Sequence, residues 1–223
     1  MSRNRACLLL HGFTGGPYEV EPLARHLRAC GWHCVAPTLP GHGESLRALK
    51  NVRYADWLAA ASAAAESLIA RTGPIDVVGF SMGGLLAAHI ANRYPVRRVA
   101  LLNAAVYYIS PMRFLRNAAR QVRSDGWKGL RIKRETPPSA ILEFAKLVRA
   151  VRPELYRVAQ PTFIAQSEQD EIVHPRSAQY IYRAVRGEKE AVLYPNSLHM
   201  ICGGPDAGLL FAHIERFFAK GDD

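Results

Sequence analysis

The chain has 223 residues, 49% of them hydrophobic and 22% charged. That length favours one domain with room for an insertion, and the composition excludes a disordered, collagen-like or disulfide-scaffold protein. The net charge of +10 would point to nucleic acid if it were spread over a binding module. It is local instead: between positions 113 and 134 eight basic residues (Arg113, Arg116, Arg120, Arg123, Lys128, Arg131, Lys133, Arg134) face one acid, Asp125, and no recognisable nucleic-acid module accompanies them.

The first apolar run, Ala6 to Leu10 behind Arg3 and Arg5, is too short for a secretory leader and is interrupted by His11 and Gly12. No stretch approaches the roughly 20 apolar residues of a membrane span. The four cysteines, Cys7, Cys30, Cys34 and Cys202, lack paired metal or redox spacing. Together these imply a cytoplasmic protein with free thiols and no stable membrane insertion.

Short apolar runs alternate with helix-like segments, the pattern of βα units around a parallel sheet. In chain order the strands are predicted at Ala6 to Leu10, His33 to Pro37, Ile75 to Phe80, Val99 to Asn103, Thr162 to Gln166 and Ala191 to Tyr194. Helices are predicted at Pro17 to Cys30, Tyr54 to Arg71, Met82 to Tyr94, Arg176 to Arg186 and Asp206 to Ala219. In the second helix Ala59, Ala60, Ala63 and Ala64 offer a small-residue face that could approach a sheet.

The rhythm fails after Asn103, where a strand-free stretch implies a helical insertion over 104–159 between core segments 1–103 and 160–223. Arg113, Arg116, Arg120 and Arg123 lie at near-helical spacing with Met112, Leu115, Ala119 and Val122 between them, an amphipathic helix with a basic face. After Pro137 and Pro138, Ser139 can cap a further helix carrying Ile141, Leu142, Phe144, Ala145, Val148 and Val151. Such an apolar face packs on the main domain or roofs a cavity.

The most specific signal is Gly79-Phe80-Ser81-Met82-Gly83, where an apolar strand runs directly into a helical pattern. This is the G-x-S-x-G elbow, whose glycines make room for a nucleophile on a sharp turn; a serine that merely capped a helix would not require them. Acyl transfer also needs donors for the developing oxyanion. The Met82 N–H follows the nucleophile at the positive end of its helix, and the Phe13 N–H in His11-Gly12-Phe13-Thr14-Gly15-Gly16 is the expected second donor.

The His11-Gly12-Phe13-Thr14-Gly15 loop, the Leu39-Pro40-Gly41-His42-Gly43 turn and the Gly79 to Gly84 elbow together resemble the small bacterial carboxylesterases and monoacylglycerol lipases of the α/β-hydrolase superfamily. The resemblance implies an α/β-hydrolase fold, a helical cap, and a triad in the order serine, acid, histidine. The acid should follow the next strand, where Asp170, with Ile172, Val173 and Pro175 downstream, matches the family form; Glu168 and Glu171 are neighbouring alternatives. The base should follow the last strand, which selects His199 in Pro195-Asn196-Ser197-Leu198-His199, with Leu198 in place of the family's usual glycine. His11 and His42 then read as loop supports.

The sheet implied is minimal, about six parallel strands, because the chain starts almost at its first strand and leaves no room for the superfamily's N-terminal hairpin. The expected acyl pocket draws Tyr107, Ile109, Phe114 and Phe144 from the insertion. Phe13, Ile172 and Val173 complete it from the core. The function expected is hydrolysis of small-molecule esters of medium acyl chains through an acyl-serine, with no metal and no cofactor. The alternatives are a thioesterase acting on an anionic acyl carrier or coenzyme, to which the basic insertion could be drawn, and a non-catalytic binding protein on the same fold.

Overall fold

The computed structural model describes residues 5–43, 45–107 and 136–220. Six strands, β1 (Ala6–Leu10), β2 (His33–Val35), β3 (Ile75–Phe80), β4 (Val96–Leu102), β5 (Thr162–Ser167) and β6 (Lys189–Tyr194), form one sheet in the order β2-β1-β3-β4-β5-β6. Every pairing is parallel. The chain steps from β1 outward to β2 and then crosses back to β3, so β1 and β3 flank the point where winding reverses. In such sheets the crevice beyond the carboxyl ends of those two strands is where a site is built.

The strands are apolar on both faces because helices cover both. Leu8, Leu10, Val77, Val99, Leu101 and Ile164 point to a cluster shared with α2 (Tyr54–Thr72), α3 (Met82–Ala91), α4 (Pro138–Val151) and α5 (Arg176–Ala184). Their neighbours Cys7, Leu9, Val78, Phe80, Ala100 and Phe163 point the other way, to α1 (Glu21–Ala29) and α6 (Ala207–Ala219). That alternation is the two-residue period of an extended strand. The α/β-hydrolase architecture and the minimal six-stranded parallel sheet expected from the sequence are both present.

Three local expectations are corrected. The first helix is not continuous: a short 3-10 turn, Pro17–Glu19, precedes α1, because Pro22 tolerates only the first turn of a helix and would clash with the carbonyl four residues back in one that began at Pro17. In α2 the fully buried face is Trp57, Ala61, Ala65 and Leu68, spaced by four, four and three; of the alanines expected there, Ala60 and Ala64 pack half-buried against the same cluster while Ala59 and Ala63 are exposed. Ser139 does not cap α4; Pro137 is the N-cap and Pro138 opens the helix, its fixed φ already helical.

The basic residues from Arg113 to Arg134, with Ile109 and Phe114, lie outside the described residues. Among the described residues no helix is long and apolar enough to cross a membrane.

Candidate active site

Ser81 stands between β3 and α3 with φ 54° and ψ −115°, a left-handed conformation that costs a side-chain-bearing residue energy. The neighbouring glycines explain how it is held. A Cβ on Gly79 would collide with the Gly83 carbonyl, one on Gly83 with the Leu10 carbonyl, and one on Gly84 with the Ala104 side chain. The elbow is also locked to the end of β4: the Ser81 N–H donates to Leu102 O (2.9 Å), and the Ser81 carbonyl accepts from Gly84 N–H (3.0 Å) and Ala105 N–H (3.1 Å). The hydroxyl makes no capping bond to the helix.

It faces His199 instead. Ser81 Oγ lies 3.1 Å from His199 Nε2, and His199 Nδ1 lies 2.9 and 3.0 Å from the two oxygens of Asp170. With Nδ1–H donating to the carboxylate, Nε2 is left as the acceptor for the serine hydroxyl. Asp170 Oδ1 also accepts the N–H groups of Ile172 (2.9 Å) and Val173 (2.8 Å), which fixes the acid at the start of its loop. Of the rival acids, Glu168 is exposed and Glu171 accepts the His199 backbone N–H (3.2 Å), so only Asp170 meets the ring.

Burial works against the charged form of His199, but the Asp170 charge and hydrogen bond outweigh it, with Glu171 and Glu19 adding, and its pKa stands above the ordinary imidazole value. A base so tuned is a stronger proton acceptor than a free histidine.

The loop after β1 wraps the other side of Ser81. His11 is buried and bridges two loops, Nδ1–H donating to Gly12 O (2.9 Å) and Nε2 accepting Leu39 N–H (3.1 Å). Burial pushes its pKa down to about 4, so it stays neutral in this structural role. His42 Nδ1–H donates to Pro40 O (3.0 Å). Phe13 stacks face to face on Phe144 of α4, centroids 4.9 Å apart and planes within 6°, and packs edge-on against Trp57 at 5.8 Å.

Two residues that the sequence did not single out complete the site. Glu19 is buried beneath the loop, its carboxyl 2.8 Å from Gly12 N–H. Burial drives its pKa up to about 7, against the opposing pull of the Gly12 N–H, the His199 charge and the Gly16 N–H. Asn103, fully buried at the end of β4 with φ 45°, donates from Nδ2 to His199 O (2.8 Å) and Ser167 Oγ (3.0 Å) and accepts Ser167 N–H (2.8 Å). It ties the histidine loop to β4 and β5. Its place directly after a buried apolar strand was the signal available for it; Glu19 lies inside the predicted helix Pro17 to Cys30 with no signal of its own.

The expected pocket residues separate into groups. Phe13, Phe144 and Val173 share one apolar cluster, with Ile172 half-buried against it. Tyr107 packs elsewhere, edge-on to Tyr180 at 5.4 Å with the Arg152 guanidinium 5.7 Å from its ring. The one group of metal-ligating side chains found among the described residues, His26, Cys30 and Glu215, lies between α1 and α6 and not at Ser81.

A strained serine at the reversal point of a parallel sheet, bonded to a histidine that a buried carboxylate orients, is an architecture of hydrolases. The chain belongs to the alpha/beta hydrolase family, whose pattern matches residues 7–220. It is 30% identical to a thermostable monoacylglycerol lipase of Bacillus sp. (strain H-257), over 96% of this chain and 90% of that protein. It is 26% identical to a carboxylesterase of Bacillus subtilis (strain 168), over 98% and 94% respectively. Among solved structures it superposes with a TM-score of 0.84 on one reported for LipS and LipT, two metagenome-derived lipolytic enzymes, at 28% identity over 97% of this chain and 94% of that one. These comparisons bear out the resemblance read from the three motifs.

Proposed function

We propose that the protein is a serine hydrolase that cleaves small-molecule carboxylic esters of medium-length acyl chains through an acyl-serine intermediate. The observation that carries this reading is the continuous chain from Ser81 Oγ through His199 to Asp170 on a glycine-built elbow. The names of the relatives at 30% and 26% identity, a monoacylglycerol lipase and a carboxylesterase, support it.

In the reaction His199 Nε2 takes the Ser81 hydroxyl proton as Oγ attacks the ester carbonyl, and Asp170 stabilises the imidazolium. The oxyanion is held by the N–H groups of Met82 and Phe13. Met82 opens α3, whose first N–H groups have no acceptor within the helix. The Gly12 N–H is committed to Glu19, so the loop's donor is the next one, Phe13. Collapse of the intermediate passes the proton from His199 to the departing alcohol, leaving an acyl-serine. Water then gives a proton to His199, attacks the acyl carbon and releases the acid as Ser81 recovers its proton.

The Phe144 ring of α4, within the 104–159 insertion read as a cap, stacks on Phe13 of the oxyanion loop. The acyl chain lies against Phe13, Phe144, Ile172 and Val173. The four free thiols, Cys7, Cys30, Cys34 and Cys202, fit a reducing cytoplasm.

The test is hydrolysis of p-nitrophenyl esters from acetyl to palmitoyl. A medium-chain optimum is expected, lost towards long chains in Phe144→Ala; a uniform preference for acetyl would overturn the acyl pocket. A second reading, a substrate carried on an anionic acyl carrier, draws on the basic residues between Arg113 and Arg134. It also draws on 28% identity, over 96% of this chain, to a pimeloyl-acyl-carrier-protein methyl ester esterase of Neisseria meningitidis. It requires carrier-bound esters to be turned over faster at low salt, and Arg120→Glu with Arg123→Glu to abolish that gain.

A further inference from the structure

His26 and Cys30 sit four residues apart at the C-terminal end of α1, the spacing that puts two side chains on one helical face. Glu215 reaches the same point from α6. His26 Nε2 lies 2.8 Å from Glu215 Oε2 and 3.9 Å from Cys30 Sγ, and all three donor atoms fall within 4.8 Å of one another. We propose that His26, Cys30 and Glu215 form a zinc site that clamps the first helix to the last.

Geometry and donor chemistry both favour this. Tetrahedral zinc with bonds of ~2.0 to ~2.3 Å holds its ligand atoms ~3.3 to ~3.6 Å apart. The sulfur therefore moves toward the imidazole by a few tenths of an ångström and the carboxylate away from it by about half an ångström, while the sulfur–carboxylate separation, at most 4.8 Å, closes by up to about an ångström, all within side-chain reach. A thiolate, an imidazole and a carboxylate suit Zn²⁺ and exclude Mg²⁺ and Ca²⁺, which take oxygen ligands only.

The donors stand on rigid backbone. Cys30 caps α1, its N–H donating to His26 O (3.1 Å), and the chain then turns sharply at Gly31, where φ is 91°, to return Trp32 N–H to Leu27 O (2.9 Å). Glu215 is anchored by its buried neighbours Ile214, Phe217 and Phe218. The His26 and Glu215 side chains keep 32% and 38% of their surface exposed, which gives the ion an entry path and leaves water as the fourth ligand. On binding, Cys30 releases its thiol proton to solvent and His26 ligates through Nε2 with its proton on Nδ1.

All six strands point their carboxyl ends toward Ser81, and α1 and α6 run back from that end. A clamp near the C-termini of these helices is therefore remote from the nucleophile, and it acts on stability without changing the rate of the reaction. It stands whether or not the esterase reading does.

The experiment uses the full chain without a histidine tag, stripped of metal and reduced with a phosphine, and titrates it with Co²⁺ as an optical probe and Zn²⁺ as its competitor. The expected result is one Co²⁺ per chain with a thiolate-to-cobalt band in the near ultraviolet that Zn²⁺ displaces. The midpoint of thermal unfolding should rise by ~5 to ~10 °C at free Zn²⁺ of about 100 times Kd, with ester turnover unchanged. Cys30→Ser should abolish the band, and both it and His26→Ala should weaken Zn²⁺ binding by at least ~100-fold. Absence of the band overturns the proposal. So does its persistence in Cys30→Ser, which would move it to Cys7 and Cys34, or unchanged Zn²⁺ binding by His26→Ala.

Discussion

Replacing Glu19 with glutamine should make the protein relatively more stable at alkaline pH than at acid pH. Glu19 is buried under the oxyanion loop, and its pKa is raised from the ordinary 4.5 to about 7. A carboxyl raised in this way binds its proton more tightly folded than unfolded, so the stability it contributes is complete below about pH 4.5 and is lost as pH climbs to about 7. At about 1.4 kcal/mol per pH unit that interval corresponds to ~3 kcal/mol, of which ~2 to ~3 kcal/mol falls between about pH 5 and about pH 8.5. Glutamine does not titrate and still accepts from the Gly12 N–H through its amide oxygen. It loses the second acceptor, which faces Gly16, but that adds an offset of ~1 kcal/mol that is the same at both pH values. Urea unfolding of wild type and Glu19→Gln at the two pH values measures the difference directly. The stability gap should move by ~2 to ~3 kcal/mol in favour of the variant as pH rises. A gap independent of pH would mean that Glu19 is ionised throughout and that its burial does not raise its pKa.

Asp170→Asn should lower kcat by ~10⁴-fold, because the amide cannot stabilise the imidazolium and favours the wrong tautomer; steady-state kinetics with a p-nitrophenyl ester measures this. The base must be neutral to accept the Ser81 proton, so kcat/KM should rise with pH through the His199 pKa, a midpoint above the ordinary 6.5. Glu19→Gln should move that midpoint downward, since the Glu19 charge is among the groups that raise it. Gly83→Ala places a methyl group against the Leu10 carbonyl and should cost more than ~3 kcal/mol, seen as loss of soluble protein or a collapse of the thermal midpoint. Asn103→Ala leaves His199 O and both groups of Ser167 without their partner; it should reduce kcat at nearly constant KM while leaving the far-ultraviolet dichroism intact.

The sequence carried the site's reacting groups more fully than their supports. Ser81 was legible because its glycines, between an apolar strand and a helical pattern, answer the steric demand of a sharp turn, and Asp170 and His199 because the family's order assigns one acid and one base to the loops after the last two strands. Glu19 was not legible: its burial depends on the Pro17–Glu19 turn folding beneath the loop, and nothing local distinguishes that from a solvent-facing helix start. Asn103 acts only through a strand and a loop 64 and 96 residues away.

The same division holds for the fold. β4 begins at Val96, three residues before the apolar run at Val99, because Arg97 and Arg98 break the hydrophobic pattern; Arg97 is drawn inward to the buried Asp76 at 2.7 Å. The inward face of α2 is set by where Trp57 fits, its ring nitrogen donating to Pro40 O (3.0 Å), and not by the density of alanines. Tyr107 reads as a pocket residue from its apolar character, yet its backbone is held by Ser177 and His174, which carries it to Tyr180.

The central claim is that Ser81 becomes acylated. Treatment with a fluorophosphonate followed by peptide mass spectrometry tests it most directly. Stoichiometric modification of Ser81 is expected, blocked by a slowly hydrolysed ester and absent in Ser81→Ala together with all ester turnover. Modification at another residue, or turnover retained by Ser81→Ala, would contradict it.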